Sequence, residues 1–190
     1  MSTQTMTRET LRNDWVEDRY AGVIENERTA VGQKLTRQPD GLGKRIGVKG
    51  EITFIGKLAP DGARLFRERL PQIQAEAAYY ETKVGTVQDF RAMLIDNDTR
   101  ILVTIIYDGD FKPYVEDVLR DAAPWLDQVF FGVWDGFKGT KDRKSVEEQI
   151  LAKAIEAEVF FVRNPDVTVR DVAKMERVSK AVNALLDAAS

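Results

Sequence analysis

The chain has 190 residues with no cysteine and no histidine, and its 28 basic and 31 acidic side chains leave a formal charge of −3. Without cysteine there is no disulfide, thiolate nucleophile or cysteine metal site. Without histidine there is no Ser-His-Asp triad, no His-ligated zinc or haem and no ordinary near-neutral proton shuttle. The charge balance supplies no overall field that would draw the chain to nucleic acid or an anionic membrane. No run approaches the ~18 apolar residues at which a membrane span becomes a candidate. Residues 1–20 show no basic stretch leading into an apolar core, so the expectation is a cytoplasmic protein rather than a signal-bearing one.

Residues 1–50 are polar and read as an N-terminal arm. Thr7 can cap a short helix carrying Leu11, Trp15 and Val16 on one side. Between positions 28 and 49 six bases face a single acid, Asp40, and Pro39 and several glycines interrupt the stretch. Such a segment reads as a solvated basic connector, with a strap over an anionic ligand as the sharper alternative.

The core is expected over residues 51–136. EITFIGKL (51–58) alternates and meets Pro60-Asp61-Gly62, which predicts a strand and then a helix. Phe66, Leu70, Ile73 and Ala77 form one helical face, with Pro71 predicting a kink or a second start. Residues 86–110, TVQDFRAMLIDNDTRILVTIIYDGD, predict a β-hairpin, because two apolar runs flank the turn-forming cluster Asp96-Asn97-Asp98-Thr99. Both faces of this hairpin are apolar enough to need cover, one from helices of the same chain and the other from a partner subunit or an apolar ligand. Phe111, Val115, Val118 and Ala122 give the next helix, ended by Pro124, and QVFFGVW (128–134) predicts a fourth strand. The predicted order is α+β, β-α-β-β-α-β, a ferredoxin-like antiparallel sheet.

Residues 137–190 add a C-terminal helical extension. Ser145-x-x-Glu148 and Thr168-x-x-Asp171 have the spacing of helix-starting caps. Between them VFFV (159–162) predicts an extra strand or extended piece, and the last helix carries Met175, Val178, Val182, Leu185 and Ala189 on one face.

EITFIGKL, the doubly apolar hairpin and QVFFGVW together resemble the dimeric ferredoxin-like α+β barrel superfamily over residues 51–134. The resemblance implies a homodimer whose sheets pack across a two-fold axis and ligands held between sheet and helices. It also implies one of the superfamily's activities, which include cofactor-independent oxygenases, isomerases and cyclases. Its haem branches use a histidine, which this chain lacks, so no cofactor is expected. The candidate ligand-binding residues are Phe54, Phe66, Tyr79, Tyr80 and Phe90 with Arg91, Tyr107, Phe130 and Trp134. Among polar groups a carboxylate held between aromatics could act as a base, since burial raises its pKa. Tyr107, Asp108 and Trp134 are the catalytic candidates, although Asp108 before Gly109 is explained by a turn alone. Asp96-Asn97-Asp98 lacks the twelve-residue calcium pattern and reads as a turn, so no metal is expected. Residues 136–141, GFKGTK, lack the P-loop spacing, and with Arg143 and Lys144 they read as a solvated basic patch. The alternative to a ligand-binding protein is an assembly module that uses the hairpin face and the arm.

Overall fold

The hairpin forms as predicted, and the rest of the molecule is placed by it. The computed structural model describes residues 35–39 and 43–188, so the helix expected after Thr7 and most of the arm lie outside the described residues. β4 (Val87–Ile95) and β5 (Arg100–Asp108) are the two nine-residue strands of the hairpin, and they pair antiparallel. At the turn Asp96, Asn97 and Asp98 all have positive φ, 53°, 54° and 63°, a conformation that Asp and Asn tolerate better than most side chains. Thr99 closes the turn by donating its N–H and hydroxyl to the Asp96 carbonyl. Arg67 holds Asp98 with two 2.7 Å bonds. Among the described residues no cluster of three or more acidic side chains is placed to hold a metal ion.

Preceding strands complete the sheet. β1 (Thr36–Arg37), β2 (Lys44–Ile46) and β3 (Lys49–Lys57) give an all-antiparallel order β1-β2-β3-β5-β4. Part of the basic connector is therefore sheet. Strands this short hold only by pairing in succession onto β3, β1 on β2 and β2 on β3, which explains why composition alone reads them as a linker. α1 (Gly62–Val84) links β3 to β4 and runs on through Pro71 as one helix; Gly85, at φ 65°, ends it by donating to Glu81.

After β5 come α2 (Phe111–Asp121) and α3 (Ala123–Phe130). Here the structure departs from expectation, because residues 128–130 close a helix and the predicted fourth strand does not form. Pro124 stands in the first turn of α3, where its missing N–H costs nothing, and Trp125, Leu126, Val129 and Phe130 bury one helical side. What remains of strand pairing is a single bridge between Trp134 and Leu58. The free edge of β3 is instead met in pieces. β2 pairs at Lys49 and Gly50, Ala154 bridges Phe54, and Trp134 closes the far end. Ile155 N–H donates to Thr53 O at 2.7 Å and Asp135 N–H to Lys57 O at 2.9 Å, so carbonyls a fourth strand would have used still find donors.

α4 (Arg143–Lys153) starts three residues earlier than the Ser145 cap implied, because Asp142 is the cap and accepts from Ser145 N–H. α5 (Val169–Ala188) starts as predicted, with Thr168 and Asp171 exchanging hydrogen bonds in a capping box. Residues 159–162 form no strand; Val159 and Phe161 are 87% and 75% exposed. The described residues fall within one compact unit. No helix of the described residues is long and apolar enough to cross a membrane.

Candidate functional site

Successive strand residues point to opposite faces, and register across β3, β5 and β4 assigns each. Ile52 pairs with Ile105 and Phe54 with Val103, while Phe90 and Ala92 meet the same two β5 residues from the other side. This inner face is covered by helices. Between them lies a cavity of about 300 Å³. Its floor is Ile52, Phe54, Phe90, Ala92 and Ile105, and its roof is Phe66, Ile73 and Ala77 from α1 with Val115, Leu119, Trp125 and Val129 from α2 and α3.

Aromatic rings set the shape of this space. Phe90 meets Trp125 edge-on, with ring centres 4.9 Å apart. The Trp125 indole donates to the Ile73 carbonyl at 2.9 Å, which satisfies its polar end and leaves the ring to the cavity. Trp134 stacks on Phe54 at 5.0 Å, a position open only because residue 56 is glycine: a Cβ there would lie 2.4 Å from the indole nitrogen. Polar lining groups are few. Gln74, Glu81 and Gln88 are exposed at the rim, and Asp89 is paired with Arg91 at 2.9 Å. Tyr114 contributes a buried phenol, and burial pushes its pKa up, so at neutral pH it is a neutral hydroxyl and not a base.

Of the residues predicted to contact a ligand, Phe54, Phe66, Tyr80, Phe90, Phe130 and Trp134 line this cavity. Three do not. Tyr79 is 57% exposed, lying edge-on to Tyr80 beneath the Lys83 ammonium. Arg91 sits on the outer sheet face, exposed. Tyr107 is on the inner face but fully buried, stacked on Tyr114 at 4.2 Å beside Gly50. The three catalytic candidates are not assembled either. Tyr107 and Asp108 are strand neighbours on opposite faces, and Trp134 lies against the far end of β3.

No protein-family model matches this chain, and neither a curated protein nor a solved structure matches it. The geometry therefore carries the functional argument alone.

Asp108 has a larger role than a turn residue. It is 7% exposed and its carboxylate meets Lys49, 3% exposed, at 2.5 Å. It also accepts from Gln88 at 3.0 and 3.1 Å and from the Val169 N–H at 2.6 Å. Lys49 donates in addition to the Val167 carbonyl. This carboxylate thus sits at the N-terminus of α5, where backbone N–H groups and the helix dipole favour negative charge. Glu51 acts similarly nearby, accepting from the N–H groups of Lys44 and Ala157. These buried charges join the C-terminal segment to the sheet, and among the described residues no carboxylate is enclosed among the cavity aromatics in the way a buried base requires. Sequence reasoning missed Tyr114 and Trp125 as lining residues. Trp125 lies in PWLDQVFF, whose i, i+1, i+4, i+5 spacing was the available signal for a helix facing the sheet.

Proposed function

We propose that the protein binds a small, largely apolar molecule between the inner sheet face and α1, α2 and α3. The observation that carries this is the cavity itself. Close-packed interiors leave few voids larger than one water molecule, whereas about 300 Å³ is where ligand pockets begin, at roughly 300 to 1,000 Å³. Its lining is apolar and aromatic with polar groups at the rim, the pattern of a site that selects by shape.

The finer reading is a ferredoxin-like protein acting as a homodimer. The element order β3-α1-β4-β5-α2 and the sheet order β3-β5-β4 support it, with fragments occupying the edge where a fourth strand would lie. The outer face supports the dimer, since Met93 is exposed and Ile55, Ile95, Leu102 and Ile106 are only half-buried. An oxygenase, isomerase or cyclase working without cofactor would act on the same bound molecule. From this lining the buried Tyr114 hydroxyl would serve it as a hydrogen-bond donor.

Native mass spectrometry of freshly purified protein, joined to titration with an apolar fluorescent dye, tests the reading. Expected are a retained small-molecule mass or saturable dye binding with a change in tryptophan emission, and loss of both in the cavity-filling variant Ala92→Phe. Dye binding unaltered by Ala92→Phe, or no binding at all, removes the proposal.

A further inference from the structure

We infer that the cover for the outer sheet face is the C-terminal helix of a second copy, so that α5 is exchanged between subunits. This rests on the homodimer part of the reading above and names the element that makes the interface.

α5 is twenty residues long and none of them is buried. Val172, Met175, Val178, Val182 and Leu185 are 42–71% exposed. Their spacing places them along one side, with Arg177, Lys180 and Asp187 on the other. Helices of this kind owe their stability mainly to packing of an apolar face rather than to propensity. Yet the root of α5 is firmly held. Its first residue donates to the buried Asp108, Val167 is bound by Lys49, and the Thr168–Asp171 box closes the first turn. A well-anchored helix therefore presents an apolar stripe that its own core does not cover.

The matching surface is on the same chain. Ile55, Met93, Ile95, Leu102 and Ile106 lie on the outer face of β3, β4 and β5, exposed or half-buried, and α5 is rooted at the Lys49 and Asp108 end of that same face. The apolar part of that face is the row Ile55-Leu102-Met93 with Ile95 beside it, and Ile106 lies beyond the polar row Thr53-Thr104-Arg91, so the chain carries both a helical stripe and a row of apolar sheet positions that could receive it. Two copies related by a two-fold axis satisfy both surfaces and close, leaving nothing to propagate. The size is adequate. A helix about 30 Å long and about 10 Å across covers about 300 Å². Two such contacts, each burying helix and sheet, remove about 1,200 Å², the lower end of stable interfaces.

The test uses the full chain, which has no cysteine of its own. Sedimentation velocity is expected to show a dimer. Val178→Glu with Leu185→Glu, both at exposed positions, places four charges in the interface and is expected to raise the dimer dissociation constant about 1,000-fold or more, while dye binding in the inner cavity persists. Val182→Cys and Leu102→Cys chains, mixed and oxidised, are expected to cross-link to each other more than either does to itself. A monomeric full chain overturns both the homodimer and the exchange. A dimer that survives the double substitution and cross-links through Leu102→Cys alone overturns the exchange and leaves a sheet-on-sheet dimer standing. Self-cross-linking of Val182→Cys overturns it in favour of helix-to-helix pairing.

Discussion

The inner and outer faces of the sheet are made from alternate residues of the same three strands, yet they solve different problems. On the inner face Phe54, Ile101, Val103 and Tyr107 are nearly inaccessible, and the cavity beside them, floored by Phe54, Phe90 and Ile105, is apolar. On the outer face the strands carry half-buried aliphatics, with Lys49 and Asp108 as a buried pair at one end. The inner face is thus stabilised by packing and can hold a ligand, whereas the outer face fixes direction, since its charged pair determines where α5 begins. A non-directional force encloses the cavity, and directional bonds position α5.

Substitutions at neighbouring residues break or sharpen this contrast. The largest effect is expected inside: Phe54→Ala should cost about 3–5 kcal/mol in urea unfolding, whereas Ile55→Ala, one residue along on the outer face, should cost about 1 kcal/mol when measured in the Val178→Glu, Leu185→Glu background that removes the exchanged helix. Equal losses would mean that the outer face is as well covered as the inner one. Next comes the charged pair. Asp108→Ala leaves the Lys49 ammonium buried without its carboxylate and should cost about 3 kcal/mol, with faster amide hydrogen exchange over residues 165–170. Replacing both partners, Lys49→Met with Asp108→Leu, should recover much of the stability without restoring that protection. Full recovery of both would reduce the pair to filler.

The smallest effect concerns pH. Burial raises the Tyr114 pKa in the folded chain, so above about 10, the ordinary tyrosine value, the unfolded chain loses this proton more readily than the folded one. Stability therefore falls as pH rises through that range. Tyr114→Phe should remove this component, seen as a shallower decline between about pH 9 and 11 in unfolding measurements. An unchanged slope would place the phenol in contact with water.

Much of the fold could be read before any coordinates, for local reasons. Asp96-Asn97-Asp98-Thr99 made the hairpin legible because left-handed turns select those residues, and Thr168-x-x-Asp171 marked the start of α5 through a bond pattern contained in four residues. The short apolar run QVFFGVW was not decidable this way, since a buried strand and a buried helix give the same run. Six aromatics of the site were likewise visible as core-forming residues. Their convergence on one cavity was not, and neither was the exclusion of Tyr79, Arg91 and Tyr107 from it.

By itself the sequence determined the absent chemistries, the α+β class, the hairpin with its turn, and the amphipathic face of the last helix, because each follows from residue type or from spacing within a few positions. Only the tertiary structure decided that residues 123–130 are helical, that three separate segments finish the β3 edge, and that Asp108 holds α5. Those outcomes depend on partners distant along the chain: Leu58 for Trp134, Phe54 for Ala154, and Lys49, Gln88 and Val169 for Asp108. The free energy of a buried charge or an unpaired strand edge is set by what surrounds it in space, and no local pattern encodes that.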